Sequence, residues 1–405
     1  MDQTSSPVII LGAGLAGLAC ALTLQKSGQP FLLIDKADQV GGRIKTTQTT
    51  EGFLLDHGFQ VLLTSYQELK YFIDLKALDL QPFNSGALIY TPEKIRLLAN
   101  PFLHPSQLIN ETFSDLFSLK DKALVMKLVL NLHTHAFDSL HGLSTFSFLQ
   151  NFGFSERFIE LFWRPFCAGV FLDQKLEVDS EFFIFLMKNF SLGRVALPKK
   201  GMQQIPLQMS AKIDQACLRL GETINEISKN EVVLGSGERL KARAVVCAFN
   251  NVDAAVNQSD SPPFRSVINY YFSTQDKLTW EKWLVLVPPS YGFNINNIAV
   301  MSQVAETYST NGQQLLSVSV IGGADPGEDI VAKELKQIAG FDLNLKFIKK
   351  FNVKNALPFK YNSEETETQN GVYFCGDYLS SPSINGALKS GRRTAEKLIA
   401  LSEQV

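Results

Sequence analysis

The feature that most constrains this chain lies in its first 43 residues. An apolar run, Val8-Ile9-Ile10-Leu11, leads into Gly12-Ala13-Gly14-Leu15-Ala16-Gly17. A second apolar run, Phe31-Leu32-Leu33-Ile34, ends in Asp35 and Lys36, and Gly41-Gly42-Arg43 follows. Strand, glycine turn, helix, strand and acid in that order describe a βαβ unit suited to a dinucleotide. Gly12 permits the tight turn, Gly14 lets backbone approach a pyrophosphate, and Gly17 lets the helix lie close to the strand. Amides at the helix start, reinforced by the helix dipole, favour phosphate there. Asp35 can accept hydrogen bonds from both ribose hydroxyls and repels a 2′-phosphate. Glycines in a first helical turn cost stability, roughly 1 kcal/mol each relative to Ala, so stability alone does not account for them.

Residues 7 to 24 carry no charge, yet the six residues before them contain no Lys or Arg. With glycines placed for a phosphate turn, the expectation is neither a signal peptide nor a membrane span. Ala123 to Leu132 is interrupted by Lys127 and is too short to span.

A chain of 405 residues can form two or three domains. Its formal net charge of -2 leaves no electrostatic footprint for nucleic acid. Cys20, Cys167, Cys217, Cys247 and Cys375 are dispersed without CxxC spacing. The expectation is a reduced, cytoplasmic protein with no structural zinc. His133 and His135, two apart in an expected helix, face different ways and make no metal site. Phe is the compositional outlier, at 30 against 10 Tyr and 3 Trp, and is concentrated between Phe146 and Phe190. Phe154, Phe158 and Phe162 share one helical stripe. Each could be ordinary core, but the cluster suggests a deep apolar pocket or a surface meeting membrane or protein.

After the βαβ unit, Phe53 to Gln60 reads as strand into loop, and Ser65 to Phe190 as mainly helical, broken by prolines. Short strands are expected at Thr223–Ile227, Glu231–Leu234 and Leu240–Ala248, with Gly235-Ser236-Gly237 turning between the last two. Further strands are expected at Tyr270–Phe272, Trp283–Val287, Leu315–Ile321 and Val372–Cys375. Helices are expected at Glu328–Ala339 and Gly386–Leu401.

The glycine turn, Asp35 and Gly41-Gly42-Arg43 resemble the N-terminus of the FAD-dependent amine oxidase, protoporphyrinogen oxidase and phytoene desaturase superfamily. Leu197-Pro198-Lys199-Lys200-Gly201-Met202 is similar to its proline-glycine-glycine-methionine loop, with Lys200 in place of one glycine. Ile224 to Ile227 and Val245 to Ala248 resemble its adenine-contacting strand and the strand after it. Gly376-Asp377 and Pro382 to Ala387, then Ser390-Gly391, resemble its C-terminal flavin motif.

The resemblance implies an α/β fold. A discontinuous Rossmann-like FAD domain (1–65, 195–250, 352–405) would carry an inserted α+β substrate domain (66–194, largely helical, and 251–351, largely sheet). It also implies roles. Asp35 and Lys36 would flank the ribose. Backbone of Gly12, Ala13, Gly14, Leu15, Ala16, Gly17 and Gly42 would hold the pyrophosphate, with Arg43 adding charge. Ile224 would meet adenine. Gly58 and Phe59 would pass close to the flavin ring, Gly376 and Asp377 would meet the ribityl or phosphate, and Ile384, Asn385 and Ala387 would underlie the N1/O2 edge. FAD would be non-covalent, since Cys375 is not where the family's covalent flavin cysteine sits. NAD is permitted by Asp35 but leaves the C-terminal motif without a role.

The expected activity is a flavin-dependent hydride removal from an apolar substrate of isoprenoid or carotenoid type. Alternatives are amine oxidation, a redox-neutral isomerase, and a non-catalytic flavin-binding protein using the Phe-rich third as a membrane or partner surface. No catalytic acid or base is assigned, and Lys199, Lys200 and His57 are the residues worth locating.

Overall fold

A computed structural model of the chain describes residues 6–99, 117–132, 134, 137, 142–249, 264–359 and 371–403. Val8–Leu11 is the central strand of a five-stranded parallel sheet. Across the sheet the strands run Leu218–Leu220, Phe31–Asp35, Val8–Leu11, Ala244–Cys247 and Tyr373–Phe374. All four residues of Val8–Leu11 are fully buried, as the uninterrupted apolar run requires of a strand covered on both faces. Val8 and Ile10 face the helical side, against Leu18 and Leu388. Ile9 and Leu11 face Val232 and Leu234 of a three-stranded antiparallel sheet (Ile224–Ile227, Glu231–Leu234, Arg239–Lys241).

The helix Leu15–Lys26 packs beneath the parallel sheet, and Ile384–Ser402 packs on it. A Cβ on Gly391 would lie 2.0 Å from Ala16 O, so this crossing depends on glycine.

A seven-stranded mixed sheet forms the second layer. Its order is Lys346–Pro358, Phe264–Thr274, Gln314–Ile321, Ile295–Val300, Leu284–Leu286, Gly86–Tyr90 and Ile95–Ala99. Strand alternation sends Ile268, Tyr270 and Phe272 to one face, under the helix Glu328–Ala339. Tyr271 goes to the other face and joins the large core shared with the helices. Thr145–Phe152, Arg164–Phe171 and Ser180–Leu192 supply that core's aromatic layer, and Leu119–Asn131 adds Leu128.

Several expectations are corrected. Residues 65 to 190 are not mainly helical throughout, because Leu80–Pro82, Gly86–Tyr90 and Ile95–Ala99 are strands. Two β-prone runs joined by Thr91-Pro92-Glu93-Lys94 make a hairpin there. Leu240–Ala248 is not one strand. Arg239–Lys241 pairs antiparallel in the small sheet, while Ala244–Cys247 crosses into the parallel one. Lys346–Pro358 lacks a clean apolar alternation because it is an edge strand whose apolar residues are interrupted by Lys346, Lys349, Lys350 and Lys354, which discourage further pairing. It runs unbroken past residue 352, so a domain boundary at 352 falls inside a strand. Val195–Pro198 pairs with both Leu62–Leu63 and Leu80–Pro82, tying the two expected domains together there.

Candidate active site

The opening turn is built from missing side chains. Gly12 has φ +107°, and a Cβ on it would sit 3.1 Å from Ala248 O. A Cβ on Gly17 would sit 1.9 Å from Gly12 O, so the helix lies directly on the turn. Gly42 (φ +60°) faces Gly14, with 3.2 Å between its would-be Cβ and Gly14 Cα. Gly14 caps the helix with no side-chain acceptor for its first amides. The result is a bare backbone cradle at a helix N-terminus.

Asp35 sits beside the cradle. Its Oδ2 accepts from Ala13 N at 2.6 Å and its Oδ1 from Ala37 N at 2.8 Å. Arg43 clamps the cradle to the end of the chain. One guanidinium nitrogen pairs with Asp377 Oδ1 at 2.5 Å, and the other donates to Ala356 O at 2.9 Å. Asp377 is buried, with Arg43 as its ion-pair partner. Ser383 caps the last helix by accepting from Gly386 N at 3.0 Å.

Gly12, Gly14, Leu15, Ala16, Asp35, Lys36, Gly42, Arg43, Gly58, Phe59, Ile224, Gly376, Asp377, Ile384 and Ala387 all line one cavity. Three expected contacts do not. Ala13 is fully buried with its amide bound to Asp35. Gly17 is spent on packing. Asn385 is buried, its Oδ1 accepting from Glu68 N at 3.1 Å.

His57 lines the cavity, stacks on Phe351 (centroids 4.2 Å apart) and shares a hydrogen bond with Thr47 Oγ1 at 2.8 Å. Burial, then the positive charges of Lys45 and Lys349, hold its pKa below the usual imidazole value. Lys199 is exposed, pairs with Asp79 at 2.7 Å and does not line the cavity, and neither does Lys200. His133 and His135 lie outside the described residues.

Sequence reading missed Asp56. Fully buried, it accepts from Thr46 Oγ1 (2.5 Å), Met202 N (3.0 Å) and Tyr308 OH (2.6 Å). Burial raises its pKa, against the lowering effect of these donors. It fixes the segment leading into His57 and Gly58. The one visible signal was an acid ending the apolar run Phe53-Leu54-Leu55.

The cavity measures 2130 Å³, more than twice the roughly 300–1,000 Å³ of an ordinary small-molecule site. It extends from the glycine cradle into an aromatic arm that includes Phe117, Phe158, Phe162, Trp163, Phe166 and Phe190. Phe154 stands behind this wall, 5.5 Å centroid to centroid from Trp163. Asn297 and Ser319 add polar groups from the seven-stranded sheet. Among the described residues no His, Cys, Asp and Glu cluster could hold a metal, and no helix is long and apolar enough to cross a membrane.

The family model for flavin containing amine oxidoreductases matches residues 15–399. The chain belongs to that family. An L-amino acid oxidase of Cerastes cerastes is 33% identical over 87 residues, 21% of this chain and 17% of that protein. A 4,4'-diapolycopene oxygenase of Methylomonas sp is 44% identical over 55 residues, 14% of this chain and 11% of that protein. The matched stretches thus span less than a fifth of either relative's length. A solved oxidoreductase from Methanosarcina mazei superposes with a TM-score of 0.74 at 16% identity, covering 96% of this chain and 100% of that one. A putative protoporphyrinogen oxidase from Exiguobacterium sp. 255-15 gives 0.72 at 15% identity, covering 98% and 99%. These likenesses establish the fold.

The cofactor of this flavin-containing family fits the residues present. The cradle at Gly12, Gly14 and Gly42 leaves room that any Cβ would narrow. Beside His57 and Gly58, the buried Gln60 Oε1 has no hydrogen-bond partner, while Gln60 Nε2 donates to Arg43 O at 3.0 Å. An acceptor left open in the cavity wall suits a donor carried by a bound group such as FAD.

Proposed function

We propose that this protein is an FAD-dependent oxidoreductase that removes a hydride equivalent from an apolar substrate, as a desaturase or dehydrogenase of isoprenoid or carotenoid type. The carrying observation is the continuity of one 2130 Å³ cavity from the dinucleotide cradle to the aromatic arm. Bound FAD supplies the hydride acceptor. The chain supplies placement, dryness and electrostatics.

In this reading Asp35 holds the adenosine ribose, and the helix start at Leu15 and Ala16 meets the pyrophosphate. Arg43 adds positive charge tempered by Asp377, and backbone at Ile224 meets adenine. The N-terminus of the last helix, at Ile384 and Ala387, favours negative charge on the reduced ring. Gly58 keeps the wall beside the ring free of a side chain. The arm's Phe rings exclude water from the reacting C–H bond. No side chain there is assigned as acid or base. The same reading divides the chain into an FAD domain and an inserted substrate domain, with the second junction near the end of the Lys346–Pro358 strand. Peripheral contact with a membrane fits a lipophilic substrate.

The test is an anaerobic titration of the purified holoprotein with polyenes, monoamines and polyamines, following the flavin band. Bleaching by polyenes supports the proposal. Bleaching by amines alone replaces it with amine oxidation. A product of unchanged mass, formed only after prior reduction, replaces it with a redox-neutral isomerase. No bleaching together with liposome flotation points to a carrier.

A further inference from the structure

Among the described residues, the aromatic arm contains one buried polar side-chain atom without a hydrogen-bond partner. Trp163 is 4% exposed and lines the cavity, and its indole Nε1 has no hydrogen-bond partner. Buried donors are almost always paired, because an unmade hydrogen bond in a low-dielectric site is costly. Tryptophan is otherwise an uneconomical choice in this wall, whose neighbours at Phe158, Phe162 and Phe166 offer the same apolar surface without a donor.

Local backbone accounts for the placement. Ile159–Trp163 forms a π-helical turn immediately before the helix Arg164–Phe171. Pro165 has no N–H, and its ring crowds the carbonyl four residues back, at Leu161. The widened turn accommodates that crowding. Such turns recur at functional sites. Trp163 is then wedged among rings, with centroids 5.5 Å from Phe154, 4.9 Å from Phe162 and 5.4 Å from Phe183.

Asn297 and Ser319, two polar groups of the cavity wall, are already engaged. Asn297 Nδ2 donates to Ser319 Oγ at 3.3 Å, and Ser319 Oγ donates to Asn269 Oδ1 at 3.3 Å. Gln60 Oε1 is an acceptor beside the loop assigned to the flavin. Trp163 Nε1 is a buried donor without a partner among the arm's rings.

We propose that Trp163 is a specificity residue whose indole N–H donates to an oxygen on an otherwise apolar isoprenoid chain. The substrate is then an oxygen-bearing isoprenoid, such as a ketone, aldehyde or epoxide, and not a bare hydrocarbon. This rests on the apolar-substrate reading given above and narrows it.

The test compares squalene with oxidosqualene, measured anaerobically on the flavin-loaded protein by difference absorption of the flavin. In the unmodified protein oxidosqualene is expected to bind roughly five- to tenfold more tightly. Trp163→Phe keeps an aromatic ring but no donor, so the ratio of the two affinities should fall to about one, whatever the smaller ring does to squalene binding. Equal affinities in the unmodified protein overturn the inference, and that comparison decides even if the variant does not fold. An equal loss of both ligands in Trp163→Phe also overturns it, as a packing effect. If squalene and oxidosqualene both fail to bind the unmodified protein, the apolar-substrate reading itself falls.

Discussion

Asp56 and His57 are chain neighbours with opposite electrostatic situations. His57 is held neutral, with its pKa below the ordinary 6.5. As pH falls through that ordinary value the unfolded chain takes up a proton that the folded site resists. Stability is therefore expected to drop on acidification, and to be fully recovered above the ordinary value. Melting curves between neutral and mildly acidic pH should show this slope, and His57→Gln should flatten it. Asp56 has the reverse sign, because burial raises its pKa. Its ionisation is disfavoured in the folded state, so it costs stability as pH rises above the ordinary carboxylate value. Asp56→Asn, which keeps an acceptor for Met202 N, should gain stability relative to the parent as pH rises. A larger loss at high pH than at low would contradict that assignment. At the cradle, Asp377→Ala leaves Arg43 without its carboxylate. A charge-assisted hydrogen bond of this kind contributes about 1.5–3 kcal/mol, and flavin retention on gel filtration should fall with it. Gly12, Asp35 and Arg43 could be read from sequence because their spacing is local or signalled by glycine. Asp56 could not, since two of its three side-chain partners lie 146 and 252 positions away.

Among elements, close crossings decide more than propensity does. Gly391 in the last helix meets backbone at Ala16 in the first, where neither partner can rotate aside. Gly391→Ala should cost roughly 1–3 kcal/mol or more by overpacking and should loosen the flavin cradle that the first helix begins. Gly323→Ala, with nothing within 4 Å of the added carbon, is the matched control and should shift stability by less than about 0.5 kcal/mol. Calorimetry on the pair settles whether packing or glycine loss in general is responsible. The Glu328–Ala339 helix was legible end to end because one apolar face, Val331, Leu335 and Ile338, rides on a sheet. The Lys346–Pro358 strand was not, because its lysines answer to its position at the sheet edge, which is set by pairing with Phe264–Thr274.

For the molecule as a whole, the cavity separates the two sheets where a protein interior would ordinarily be filled. Occupying it with a ligand should stabilise the whole chain, by about 2.7 kcal/mol at a free concentration one hundred times Kd. Flavin-stripped protein should melt lower than the holoprotein, and added FAD should restore the curve. An unchanged melting point would place the flavin elsewhere. The glycine turn announced the dinucleotide half of this cavity. The aromatic arm was foreshadowed only as a concentration of Phe, because its depth depends on how separate helices pack. The parallel sheet also has a consequence for how the protein is made. Its five strands come from residues 8–11, 31–35, 218–220, 244–247 and 373–374, and Arg43 waits for Asp377. A ribosome that has delivered the glycine turn must add more than three hundred further residues before the clamp can close. Until then the half-built sheet presents open edges to chaperones, and a chain cut short of Asp377 should emerge colourless.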